Sequence, residues 1–351
     1  MKIGRIYILI MLGILAATFA SCRQEICYDH YPAMDIRFSW ELEWERDYGM
    51  NHIANWNPAA NSYAYDELRP STPEWVKMIR YFDDGRRTER FFNQEGARFE
   101  VEQGQGCSIL FYNGDTEYII LSDIASLNDV RASATTRTRS GPALQALQEM
   151  YQHSRTTNPP DVIYSAYVED VPGVMSHEVH YLPVKMQPLV YTYIVMFEFE
   201  HGFENVVLAR GALGGMAEGV YLRTGVTTDE TSIILFDCDI LPDGCRSQVR
   251  SFGIPGFPDS YFGRASGVSG GPFTLNLEVK LSNGRNVDFN FDITDQMKKQ
   301  PRGGIIRIKG LRIEDEVSKP PVGSSGFQVD VSDWGDHTEE IDLPITTFET
   351  K

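Results

Sequence analysis

The chain has 351 residues, a net charge of -17 and 12% aromatic residues. That length is enough for two domains of ordinary size. An acidic surface repels nucleic acid and anionic headgroups, so nucleic-acid binding and charge-driven adhesion to a bare bilayer are excluded as main roles.

The first 22 residues read as a bacterial secretory leader. Lys2 and Arg5 form a charged start, residues 6–20 are almost wholly apolar, and Phe19-Ala20-Ser21 leads into Cys22. The pattern resembles a lipobox, with Phe19 where Leu usually stands. Residues 1–21 are therefore expected to be a signal peptide, and Cys22 is expected to carry acyl chains, palmitate among them, holding the protein at the outer membrane on the cell surface. Plain secretion, with Cys22 a bystander, is a second reading. An uncleaved anchor is a third, but the run is shorter than the roughly 20 residues that span hydrocarbon. Loss of Lys2 and Arg5 with the leader takes the net charge from -17 to -19. A covalent lipid is indifferent to that charge, since each buried methylene contributes about 0.8 kcal/mol.

Acylation of Cys22 leaves Cys27, Cys107, Cys238 and Cys245, an even number in an oxidising compartment. Cys238 and Cys245 flank Asp-Ile-Leu-Pro-Asp-Gly, a turn sequence, and could meet across a hairpin as a disulfide. Cys27 with Cys107 is the residual pairing, and four free thiols is the competing reading. No CxxC occurs, so zinc-knuckle and thioredoxin chemistry have no support.

Residues 35–44 alternate apolar and polar with period two, the pattern of a half-buried strand. Residues 46–72, rich in Asn, Pro, Ala and Tyr, predict a long loop. Its Trp56 and Tyr63 read as a lid over the first sandwich, with a sugar-binding platform as the rival. Residues 75–82 run into Asp83-Asp84-Gly85, a strong hairpin signal, and Phe91, Phe92 and Phe99 continue the meander. Residues 107–111, Asn113-Gly114 and 118–121 repeat it with another Asn-Gly turn. Residues 131–141, small, polar and basic, predict an exposed loop or linker. Leu144, Leu147 and Tyr151 at helical spacing predict one short helix over 143–151.

Asn158-Pro159-Pro160 suggests a boundary near 158, giving an N-terminal domain over 22–157 and a C-terminal domain over 158–351. Further strand segments follow from 162 to 331, the densest in β-branched and aromatic residues being 190–199, with an Asn283-Gly284 turn. Many short strands and one short helix predict an all-β chain of two tandem β-sandwich domains.

Motifs for chemistry are weak. His177-Glu178-Val179-His180 has the wrong spacing for a helical zinc-protease motif and reads as a surface His pair. In residues 237–244, Leu241 stands where a calcium loop needs a ligand, so a solvated hairpin tip is the better reading. Gly211-Ala-Leu-Gly-Gly-Met-Ala-Glu-Gly219 lacks Lys and carries negative charge; a bulge or a close backbone approach is expected there rather than a phosphate cradle. No catalytic residue, metal or cofactor is assigned, and the chain is expected not to be an enzyme.

A family resemblance rests on several segments together. They are Ile26-Cys27-Tyr28-Asp29-His30, the strand ending Phe38-Ser39-Trp40, Ile79-Arg80-Tyr81-Phe82-Asp83-Asp84-Gly85, and Ile109-Leu110-Phe111-Tyr112-Asn113-Gly114-Asp115. Two more are Phe289-Asn290-Phe291-Asp292-Ile293-Thr294-Asp295-Gln296 and Gly326-Phe327-Gln328-Val329-Asp330-Val331-Ser332-Asp333-Trp334. As a set they resemble surface lipoproteins of Bacteroidales of unknown function, which are similar to the fimbrillin superfamily and its lipid-anchored anchor subunits.

The resemblance implies transthyretin-like sandwiches, Cys22 as the anchor, and partner fimbrial or other envelope subunits bound through strand edges. It directs attention to Phe327, Val329, Val331 and Trp334 near the C-terminus. Stalk subunits are cleaved after Arg or Lys before their first strand. Here Arg46 and the arginines of 131–139 follow that strand, and Arg23 directly follows the lipidated residue, which favours an anchor or accessory role. A glycan- or ligand-binding lipoprotein using sandwich-end loops is the alternative.

Overall fold

A computed structural model describes residues 33–41, 56–61, 63–68, 70–100, 106–152, 154–173, 179–257, 271–314, 327–332 and 338–343. Cys22, Cys27, His177, Glu178 and Trp334 lie outside the described residues. The strands in chain order are β1 (Ala33–Trp40), β2 (Trp75–Phe82), β3 (Arg87–Asn93), β4 (Gly96–Glu100), β5 (Cys107–Asn113), β6 (Ile119–Ser122), β7 (Arg131–Ala134), β8 (Arg155–Thr157), β9 (Tyr164–Val171) and β10 (Val179–Pro188). They continue as β11 (Tyr191–His201), β12 (Val206–Ala217), β13 (Gly219–Tyr221), β14 (Thr231–Asp237), β15 (Asp239–Leu241), β16 (Gly244–Ser251), β17 (Thr274–Leu281), β18 (Asn286–Asp292), β19 (Gly304–Arg312), β20 (Phe327–Ser332) and β21 (Thr338–Leu343). Helices are short: α1 (Pro58–Asn61), α2 (Pro142–Met150) and α3 (Thr294–Lys299). Among the described residues no helix is long and apolar enough to cross a membrane.

A seven-stranded sheet runs β3-β2-β5-β9-β10-β1-β4. β3 and β4 follow one another through Gln94 and Glu95, yet they occupy opposite edges. The sheet therefore curls until those edges approach. Phe38 N–H donates to the Glu95 carbonyl at 3.3 Å, and Trp40 Nε1 donates to the Gln94 carbonyl at 3.2 Å. Inside lie Met34, Ile36, Met78, Ile109, Phe111 and Met186. Arg80 joins them at 4% exposure. Its Nε donates to Thr88 Oγ1 at 2.9 Å, and its guanidinium lies 5.2 Å from the Phe82 ring centre and 5.8 Å from that of Phe99. Arg86 covers Phe82 at 4.9 Å and Arg90 covers Phe99 at 5.2 Å. Cations over ring faces thus hold the curled end together, where β3 and β4 share no ladder.

β1 is a central strand. It pairs in parallel with β10 from Ala33↔Val179 to Trp40↔Met186 and antiparallel with β4. From Ile36 to Trp40 the apolar side chains are buried or half-buried while Arg37 and Ser39 are exposed, as the alternation predicts; Ala33, Met34 and Asp35 before them are all buried.

A six-stranded sheet, β15-β16-β11-β19-β20-β21, faces a five-stranded sheet, β18-β17-β12-β14-β8. Phe197, Leu213, Phe236, Leu277 and Ile306 fill the space between them. A three-stranded sheet, β13-β7-β6, covers the other face of the seven-stranded one, burying Ile79, Leu110 and Ala132 with Val220 and Phe252. That cluster draws on both halves of the chain. Strands on both sides of residue 158 also share the seven-stranded sheet, because β9 and β10 complete it.

The all-β expectation holds. The Asp83-Asp84-Gly85 turn joins β2 to β3, with Gly85 at φ 83°. α2 forms as the spacing predicts and packs Leu144 and Leu147 against Ala212, Ile233 and Leu235.

Two local expectations fail. Asn113-Gly114 does not fold β6 back onto β5. The Asn113 side chain instead accepts from Tyr164 N–H at 2.6 Å and donates to Asp115 Oδ1 and the Val162 carbonyl, so the chain turns away. Residues 131–141 are not a free loop either. They begin as β7, and their arginines clamp the five-stranded sheet: Arg137 Nη1 donates to the Leu235 carbonyl and Nη2 to Asp237, while Arg139 Nη1 donates to the Gly211 carbonyl.

The glycine-rich stretch 211–219 is mostly central strand β12, with a register shift between Gly214 and Met216. A Cβ on Gly211 would lie 2.1 Å from the Phe236 ring, so close approach accounts for that glycine.

Candidate partner-binding edges

Strand edges are where a β protein can take a partner strand, because unpaired N–H and C=O groups project there. β8, β13 and β15 are edges of only three residues each, too short to template a long ladder. The longer edges among the described strands are β3, β18 and β21.

The C-terminal hairpin is the most distinctive of these. β21 pairs with β20 through six registered positions, Phe327↔Leu343 to Ser332↔Thr338. β20 is joined to β19 through only two, Arg307↔Asp330 and Ile308↔Val329. β19 on its other side runs parallel to β11 from Tyr193↔Gly304 onward. The hairpin thus joins the sheet through β20 alone, with β21 as the outer edge. Phe327, Val329 and Val331 occupy alternate positions of β20, whose two edges are both taken.

The lid over residues 56–68 sits elsewhere than expected. Tyr63, Tyr65, Leu68 and half-buried Trp56 cover Ile194, Met196 and Ile305, on the outer face of the six-stranded sheet rather than on the first sandwich. Trp56 Nε1 donates to the Tyr63 carbonyl at 2.9 Å, and its ring stands edge-on to Tyr65 at 5.7 Å. Trp56 is thus committed to internal packing.

Cys238 and Cys245 are free thiols in contact. Cys238 separates β14 from β15, at the corner where the chain passes from the five-stranded to the six-stranded sheet, and its N–H donates to the Ala209 carbonyl at 3.0 Å. Cys245 lies opposite Phe197 and Ile240. A hydrogen bond with the Cys245 thiol, followed by burial, raises the Cys238 thiol well above its ordinary value. Cys107 is a buried free thiol, also raised by burial.

A buried charge cluster lies on the outer face of β12, β17 and β18. Arg210 Nη2 contacts Glu278 at 2.7 Å, and Arg139 Nε stands 3.9 Å from the same carboxylate. Burial, then the Glu278 charge, raises Asp288, which pairs across from Glu278. Sequence reasoning missed this cluster because its members come from three distant segments. The outer face of the β2–β3 hairpin was missed too, although the Asp-Gly turn fixes its register and thereby sets Lys77 opposite Phe91.

Residues 65–237 match a family model described as a domain of unknown function, DUF5119, which covers just under half of the chain. No curated protein matches the chain by sequence. Among solved structures, a proposed adhesin from Bacteroides ovatus aligns over 85% of this chain and 99% of its own at 17% identity, with a TM-score of 0.56. A proposed polysaccharide-binding protein from Bacteroides thetaiotaomicron aligns over 88% and 98% at 10% identity, with a TM-score of 0.48. The fimbrial anchor protein Mfa2 from Porphyromonas gingivalis aligns over 80% and 90% at 11% identity, with a TM-score of 0.43. Only the first score supports an argument, and at that identity it concerns the fold alone. In fold, the chain is similar to the proposed adhesin from Bacteroides ovatus.

Proposed function

We propose that the protein is a lipid-anchored envelope lipoprotein, two tandem sandwich units tethered through Cys22, serving as an anchor or accessory subunit of a fimbria-like assembly. The observation that carries this reading is the C-terminal hairpin: six registered pairs hold β20 to β21, and two hold the hairpin to β19. β21 is the outer edge of the six-stranded sheet, and its unpaired side can add a partner strand. The fold shared with a proposed adhesin supports the same direction. Docking of this kind needs no reacting group, and we read the protein as non-enzymatic.

Two measurements test it. Metabolic labelling with an alkyne fatty acid should mark the wild-type protein and not Cys22→Ser, which should also leave the membrane fraction. Capture from detergent-solubilised membranes should recover envelope subunits with the full chain and lose them when residues 327–351 are deleted. Recovery of the protein alone at every salt would refute the docking role.

A further inference from the structure

Phe91 is 61% exposed on edge strand β3. Its neighbours make the position unusual. The register sets Trp75 opposite Asn93 and Lys77 opposite Phe91, so Trp75, Lys77, Phe91 and Asn93 share the outer face of the hairpin, with Glu89 next along β3. Trp75 and Phe91 stand edge to face, centres 5.2 Å apart at 71°. Trp75 rests on the backbone of Gly114, where a Cβ would come within 2.3 Å of the indole. Lys77 Nζ is 2.7 Å from Glu89 Oε2 and 5.6 Å from the Phe91 ring centre, and Arg87 reaches the other Glu89 oxygen at 3.3 Å.

We propose that Trp75, Lys77, Glu89, Phe91 and Asn93 form a platform that binds neutral polysaccharide. A pyranose ring presents apolar C–H groups on one face and hydroxyls around its rim. Phe91 offers the accessible ring, and Trp75, seated on Gly114, fixes its orientation before binding. Glu89 accepts from hydroxyls, and Lys77 and the Asn93 amide N–H groups donate to them, the Asn93 oxygen being held by the Glu95 and Gly96 N–H groups. Size argues for sugar over protein: one exposed ring with its polar rim falls far short of the roughly 800 Å² per partner in a stable protein interface. Charge sets the class of sugar, because a chain of net charge -17 repels polyanions. Single-site binding is weak, and many copies on one surface multiply it. The platform belongs to a different sheet from the C-terminal hairpin and does not rest on the docking role.

The test is electrophoresis of the mature chain through native gels containing dextran, yeast mannan, xylan or laminarin, with hyaluronan as the acidic comparison. Retardation is expected in at least one neutral gel. Phe91→Ala should weaken it about tenfold, with an unchanged melting curve, since the side chain is exposed. Phe91→Tyr should retain it, and Glu89→Gln should reduce it. No retardation in any neutral gel, retardation confined to hyaluronan, or equal retardation of Phe91→Ala would overturn the proposal.

Discussion

The guanidinium of Arg246 lies 4.2 Å from the centre of the Tyr63 ring. That contact fastens a segment which enters between β1 and β2 onto β16, far along the chain. Tyr65 and Leu68 complete the cover over Ile194, Met196 and Ile305. Burial pushes the Tyr63 hydroxyl up to about 12, although Arg246 acts in the opposite direction.

The sign of that shift gives a first prediction. A tyrosine raised from 10.0 to about 12 contributes stability that is complete below pH 10 and lost as pH climbs through the folded value. The cover over the six-stranded sheet should therefore loosen in strong alkali. Spectrophotometric titration should show a late-ionising class containing Tyr63, Tyr81, Tyr112 and Tyr151, each raised to about 12. Tyr63→Phe should remove one member of it. An unchanged late class in that variant would contradict the burial of this hydroxyl.

Cys238 and Cys245 make a second case. In the oxidising envelope proposed above for the protein, the two thiols should lose two protons and two electrons to a disulfide oxidase and form one S–S bond. Intact mass of the native protein should fall by two hydrogens, and Cys238→Ser should abolish the change. Closing so short a loop contributes about 2–3 kcal/mol at most, so the reduced protein should unfold at lower denaturant. Persistence of two alkylatable thiols in native envelope protein would exclude the bond.

Arg80 is a test of the curled sheet. Replacing it with Ala removes the contacts to Phe82 and Phe99 and the bond to Thr88 together. We expect a loss of about 2 kcal/mol or more, read as a lower denaturation midpoint. Arg80→Met keeps the apolar stem and should recover part of it.

Gly211→Ala should also destabilise, because the new methyl meets the Phe236 ring at 2.1 Å inside a central strand. Overpacking of this kind costs about 1–3 kcal/mol. The paired change Gly211→Ala with Phe236→Leu should restore part of the loss. An unaltered melting curve for the single variant would place the ring elsewhere.

Local signals in the chain found elements well and partners poorly. Asp83-Asp84-Gly85 announced the β2–β3 hairpin, and Leu144 with Leu147 announced α2, because both depend on residues within a few positions. The parallel pairing of Ala33 with Val179 carries no local mark, since periodicity says that a strand exists and not what lies beside it. Asn113-Gly114 misled for a related reason: the side chain that suits a turn was engaged instead by Tyr164, some fifty positions onward. The basic stretch 131–141 looked solvated because Arg137 and Arg139 find their acceptors on β12 and β14. The edges proposed for partner binding were half visible. The sequence of β20 was recognisable, whereas its place between β19 and β21 follows from sheet order alone.

β1 has eight registered positions against β10 and five against β4. A chain pulled from its amino end by a membrane tether would load this strand along its own axis. The hydrogen bonds on both flanks would then have to shear together instead of peeling one at a time, so traction at the envelope would meet the stiffest geometry that a sheet provides.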